Sequence, residues 1–188
     1  TPLGTIHRFT TSGSFVLNDP GGETPDVANC RLLVVGGGGA GGSYNPGAYG
    51  GGGGGGGGVR YIPAITLSTD ATYPITVGDG GTGGNPWSSP KDGGTPAQPK
   101  GGGTSSVFNS PGGNSIPAIT ATGGGAGGVG GAAGGTGGSG GGESYPGPGG
   151  TGNAGGAEPR ANPTSEGNPA STNKGGLSAG SYGCGGGG

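Results

Sequence analysis

The chain has 188 residues with a formal net charge of −2; 61 residues are glycine and only 26% are apolar. A conventional hydrophobic core spanning such a chain is out of reach, so order must lean on backbone hydrogen bonding. Charge is sparse and mixed, with no basic patch for nucleic acid, and no apolar run approaches the ~20 residues of a bilayer span.

The length suits one continuous domain. Within it, residues 1–35 are expected to form an N-terminal β-hairpin and a buried strand. Residues 36–188 are expected to form a glycine-rich bundle with interleaved short strands and loops. The chain contains no methionine, so Thr1 is not expected to be a translational start, and no signal peptide can be read.

Ile6 to Phe9 and Ser14 to Leu17 flank Thr10-Thr11-Ser12-Gly13, which predicts a hairpin. Asn18 to Gly22 reads as a loop. Arg31 to Val35 is the most apolar run and predicts a buried strand leading straight into Gly36. Val59 to Ile62, Ile65 to Leu67 and Tyr73 to Val77 are further strands, with Pro74 pointing to an edge or a bulge. Asn85 to Gly103 is an irregular excursion. Ser105 to Asn109 and Ile116 to Thr122 return to strand character. From Glu143 onward the pattern loosens, and no α-helix is expected because helix formers are scarce.

The stretch Ala121 to Gly142 organises the rest. Its side chains recur every three residues at Ala126, Val129 and Ala132, then, after a slip of one, at Ala133, Thr136 and Ser139. Three is the period of a polyproline-II-type helix, which has no internal hydrogen bonds. Glycine at two positions in three strips two faces, so that neighbouring helices can approach and pair their backbones. The third face faces water or covers something apolar. The same spacing recurs at Ala40, Ser43, Pro46 and Tyr49, at Asp79, Thr82, Asn85 and Ser88, and at Pro148, Thr151, Ala154 and Ala157. The fold class expected is all-β or irregular: short strands packed with a bundle of polyglycine-II helices. Collagen would need one glycine in three over long spans. A flexible linker would have no reason to keep a frame of three.

Motifs for chemistry are thin. Val34 to Gly41 satisfies G-x-G-x-x-G after a strand, but the glycines that follow cannot form the helix a dinucleotide site requires. His7 is the lone histidine and stands in a strand-like run, without ligands at metal spacing. No catalytic, cofactor-binding or metal-binding set is expected, and the chain is read as non-enzymatic. Tyr44, Tyr49, Trp87, Tyr145 and Tyr182 lie in glycine- or proline-rich loops. They either cap the bundle and fill gaps or contact sugars or a partner protein. Cys30 and Cys184 can close a long disulfide loop, remain two thiols, or, through Cys184, bond a neighbouring subunit.

The order of motifs also carries a resemblance. Ile6 to Phe15, then Leu32 to Val35 running into glycines, then Gly57-Gly58-Val59-Arg60-Tyr61 and Tyr73 to Gly81, resemble the glycine-rich domain of phage tail-fibre and virion proteins. Gly103 to Phe108 and Ile119 to Gly125 continue that order, so the likeness spans nearly the whole chain. It implies an extracellular or virion-surface structural module, in some cases at a host-recognising tip. Phage adhesins with polyglycine-II sandwiches are a related precedent. The function expected is a structural and assembly module of a virion fibre or appendage, with self-association and a cell-surface glycan or protein receptor as partners. A self-assembling extracellular filament is the alternative. An ice- or glycan-binding face is the third reading; the mixture Ala126, Val129, Thr136, Ser139 argues against it.

Overall fold

The computed structural model describes residues 4–17, 26–42, 51–69, 71–83, 105–107, 118–129 and 132–144. Among them there is no α-helix, only short antiparallel strands and extended glycine segments. The strands are β1 (Gly13–Val16), β2 (Asp26–Val35), β3 (Val59–Ser68), β4 (Thr72–Thr76), β5 (Ser105–Val107) and β6 (Ile119–Ala121). They form a four-stranded sheet in the order β1-β4-β5-β6 and a two-stranded sheet of β2 and β3.

The two sheets share one small core. Val34, Ile62 and Leu67 come from the two-stranded sheet, and Tyr73, Ile75, Ile119 and Ala121 from the other. Phe15, Leu17 and Ile65 pack at its margins. The Arg60 Nη1 donates to the Thr120 carbonyl at 3.3 Å and ties β3 to β6. The Tyr73 hydroxyl accepts from the Ser68 N–H at 2.7 Å and donates to the Ser68 carbonyl at 3.1 Å, closing the turn between β3 and β4. Tyr73→Phe removes both bonds, a loss of about 1–3 kcal/mol at ~0.5–1.5 kcal/mol each. A fall of several degrees in the melting temperature is expected; an unchanged value would show that the hydroxyl does not hold this turn.

Three sequence expectations are corrected here. Residues 4–9 are not a strand, and β1 pairs with β4, Gly13 opposite Ile75 and Val16 opposite Thr72, instead of closing a local hairpin. The aromatic rings explain the preference. Phe15 takes His7 edge-on at 5.1 Å and Phe9 at 6.4 Å, and lies 6.4 Å from Tyr73 on the adjacent strand. Second, the run Arg31 to Val35 is buried on one face only: Val34 is 3% exposed, but Leu33 is 62% and Val35 52% exposed. Third, the two strands expected around Pro63 are the single strand β3. Its pairing with β2 is irregular between the Leu32–Ile62 and Cys30–Ile65 pairs, which is where a ladder tolerates proline. Pro74 lies on β4 between two neighbours, yet the described pairing with β5 begins at Ile75.

Candidate functional site: the glycine lattice

Three strands run directly into glycine segments. Val35 of β2 leads into 36–42, 51–58 leads into Val59 of β3, and Ala121 of β6 leads into 122–129. With 132–136 and 137–144 these make five extended segments, called helices I to V in chain order. Their backbone bonds are 2.6 to 3.1 Å long and recur every third residue. That spacing is the polyglycine-II signature, since each helix presents the same face once per three residues.

The bonds define the arrangement. The N–H groups of Gly36, Gly39 and Gly42 in helix I donate to the carbonyls of Gly58, Gly55 and Gly52 in helix II, so I and II are antiparallel. Gly52, Gly55 and Gly58 in turn donate to Gly128, Gly125 and Thr122 of helix III. Gly124 and Gly127 of helix III donate to Gly37 and Ala40, so III runs parallel to I. Gly125 and Gly128 donate to Ser139 and Gly142 of helix V, and Ala132 and Gly135 of helix IV donate to Val129 and Ala126. Helix V closes the set through Ser139 and Gly142 to Gly56 and Gly53, and through Gly141 and Ser144 to Gly135 and Ala132. Helix III therefore bonds to each of the other four. The neighbours tile as triangles, with I, III and IV in one layer and II and V in the other. Gly81 adds one more segment by donating to the Gly38 carbonyl at 2.7 Å.

Close approach makes the glycines obligatory on the inner faces. A Cβ built on Gly124, Gly125, Gly127 or Gly128 would fall closer than 3.0 Å to a backbone atom of a neighbouring helix, and so would one on Gly36, Gly39, Gly42, Gly52, Gly55 or Gly57. The side-chain positions Ala126 and Val129 fall on the third face of helix III, in the frame read from the sequence. The stretch holds two chain reversals, since 132–136 runs back along helix III and 137–144 runs forward again, and the one-residue slip between Ala132 and Ala133 falls within helix IV.

Of the two expectations for the third face, covering holds at Val129, 4% exposed, and Ser139, 5% exposed, while Ala132, Ala133 and Thr136 face water. One further correction arises. The pattern does not loosen at Glu143: Glu143 is 3% exposed, and Ser144 is fully buried, with its N–H and its Oγ both donating to the Ala132 carbonyl.

Of the residues singled out from sequence, Cys30 lies half-buried on β2 and packs against the core. Cys184, Tyr44, Tyr49, Trp87, Tyr145 and Tyr182 lie outside the described residues, as do the three-residue registers at 43–49, 85–88 and 148–157. His7 is exposed and rests on Phe15. Among the described residues, no three His, Cys, Asp or Glu side chains come together as a metal set would require.

A slab of glycine helices growing out of a small β-sandwich defines a class of scaffold, held by backbone rather than by side chains. Residues 10–188 match the family of glycine-rich domains, and the chain belongs to that family. No curated protein and no solved structure matches it.

Proposed function

We propose that this chain is a non-enzymatic structural and assembly module of a virion fibre or appendage, placed at the virion surface or outside the cell. The observation that supports this reading most is the period-three backbone lattice. It commits most of the described glycines to mutual support and leaves few side chains for chemistry. A slab of main chain suits bearing load, and contact with a host glycan or protein receptor fits the aromatic residues that the sequence sets among glycines and prolines. Self-association is the partner expected first. A self-assembling extracellular filament is the second reading, favoured by large apolar side chains exposed on β2 and β3. Negative-stain imaging of the native material separates the two. Tailed particles carrying this chain support the first reading, continuous fibres composed of it support the second, and neither structure would defeat both.

A further inference from the structure

We infer that the outer face of the β2–β3 ribbon and of helices I and II is a docking surface for the same face of a second copy of this chain. The inference deepens the assembly reading above and rests on it.

Two independent observations converge on this face. The first is apolar. Leu33, Val35, Val59 and Tyr61 are 62%, 52%, 53% and 45% exposed. They stand on one side of the ribbon as opposed pairs, Leu33 with Tyr61 and Val35 with Val59. A contiguous uncovered cluster of this kind marks a contact surface on a soluble chain.

The second concerns glycines that the chain's own packing does not require. In helices III to V the third face carries Ala126, Val129, Thr136 and Ser139. In helices I and II, which continue β2 and β3, the corresponding outward positions include Gly38, Gly41 and Gly56. A Cβ at Gly41 would come no closer than 3.7 Å to Gly52, one at Gly38 no closer than 3.9 Å to Gly55, and one at Gly56 no closer than 3.7 Å to the Ser139 Oγ. None of the three has the left-handed backbone that favours glycine. Glycine at such places costs roughly 0.5–1 kcal/mol relative to alanine, and it is the residue that lets another backbone approach. At Gly38 such a backbone is already present: Gly81 donates to it. Gly41 and Gly56 remain exposed.

The occupant follows from what this face can recognise. Its backbone repeats every third residue; the Gly38 and Gly56 carbonyls already accept from Gly81 and Ser139, the Gly41 carbonyl has no backbone donor among the described residues, and the spacing matches another glycine lattice of the same period. The apolar patch beside them matches itself. Helix I pairs antiparallel with II and parallel with III, so the lattice accepts either direction and a twofold arrangement meets no polarity barrier. The docked surface would continue the helix-to-helix interface already inside each copy.

The test uses the full chain in sedimentation equilibrium across a concentration series, with three forms: wild type, Leu33→Asp with Tyr61→Asp, and Gly41→Val with Gly56→Val. Wild type is expected to dimerise. Both variants should weaken association at least tenfold, while melting of dilute samples of the glycine variant stays within a few degrees of wild type. A wild-type chain that is monomeric throughout would overturn the inference. So would association indifferent to the glycine variant, which would mean apolar adhesion only. A steep loss of monomer stability in the glycine variant would also overturn it, because the face would then be covered from within the chain. Virion particles or fibres that contain a chain monomeric in isolation would leave the assembly reading standing and remove only this surface.

Discussion

Gly128→Val is expected to abolish the cooperative unfolding transition of this chain. A Cβ at Gly128 would collide with the Ala132 carbonyl and lie 2.9 Å from the Ser144 N–H. Helices III and IV would have to part, breaking the bonds from the Ala132 N–H to Val129 and from the Gly135 N–H to Ala126, so four backbone groups lose their partners. At roughly 1–3 kcal/mol per stranded group the loss is on the order of 4–12 kcal/mol. That is comparable with the whole stability of an ordinary domain, about 5–15 kcal/mol. Val129→Thr, one position along, should cost about 1–3 kcal/mol, because it buries a hydroxyl at a site 4% exposed without moving a backbone. Gly41→Val should leave dilute monomer nearly unaffected. Calorimetry on the three variants checks the order; a melting temperature for Gly128→Val within a few degrees of wild type would mean that the helices do not touch there.

Amide exchange should print the lattice directly. In helix II the N–H groups of Gly52, Gly55 and Gly58 donate within the bundle, while those of Gly53, Gly54, Gly56 and Gly57 have no backbone acceptor among the described residues. Helix I donates from Gly36, Gly39 and Gly42. Helix III, surrounded by four neighbours, donates from two residues in three: Gly124, Gly125, Gly127 and Gly128. Exchange that requires global opening at about 5 kcal/mol is slowed by roughly three orders of magnitude or more. Helices I, II and IV should therefore show one slow amide in three, and helices III and V, the latter donating from Gly138, Ser139, Gly141, Gly142 and Ser144, two in three, in residue-resolved NMR. Uniform rates through 51–58, or a period of two, would be incompatible with this bundle.

The sequence revealed the lattice where side chains interrupt the glycine. Ala126 and Val129 mark the third face of helix III, so the frame of the segment at the centre of the bundle was legible. Residues 50–58 are glycine throughout. A homopolymer carries no marker of which residue faces which neighbour, and its frame is set from outside by the strands it continues. The sandwich was legible as strand positions but not as pairings. Gly13–Val16 chose β4 over the adjacent Ile6 to Phe9 because Phe15 joins Tyr73 at the margin of the core, and sequence proximity says nothing of that. Leu33 and Val35 read as buried because an unbroken apolar run looks the same whether one face of its strand is covered or both. Of the aromatic and cysteine candidates only Cys30 falls in the described fold, and its neighbours there are core residues.

The junction of β2 and β3 with helices I and II has one more consequence. Val35 stands opposite Val59, and the next rung, Gly36 to Gly58, keeps the same alignment. A strand rises about 3.3 Å per residue and a polyglycine-II helix about 3.1 Å. One ladder can thus hand over to the other without a step, and only the repeat of its rungs changes from two residues to three. The slab then behaves as a ruler graduated in triplets. Adding three residues to each of the paired segments would lengthen it by roughly 9 Å at 3.1 Å per residue and leave the sandwich untouched. Adding one or two residues, or a triplet to a single segment, would throw every rung beyond the insertion out of line. Length in such a scaffold can change only by matched graduations.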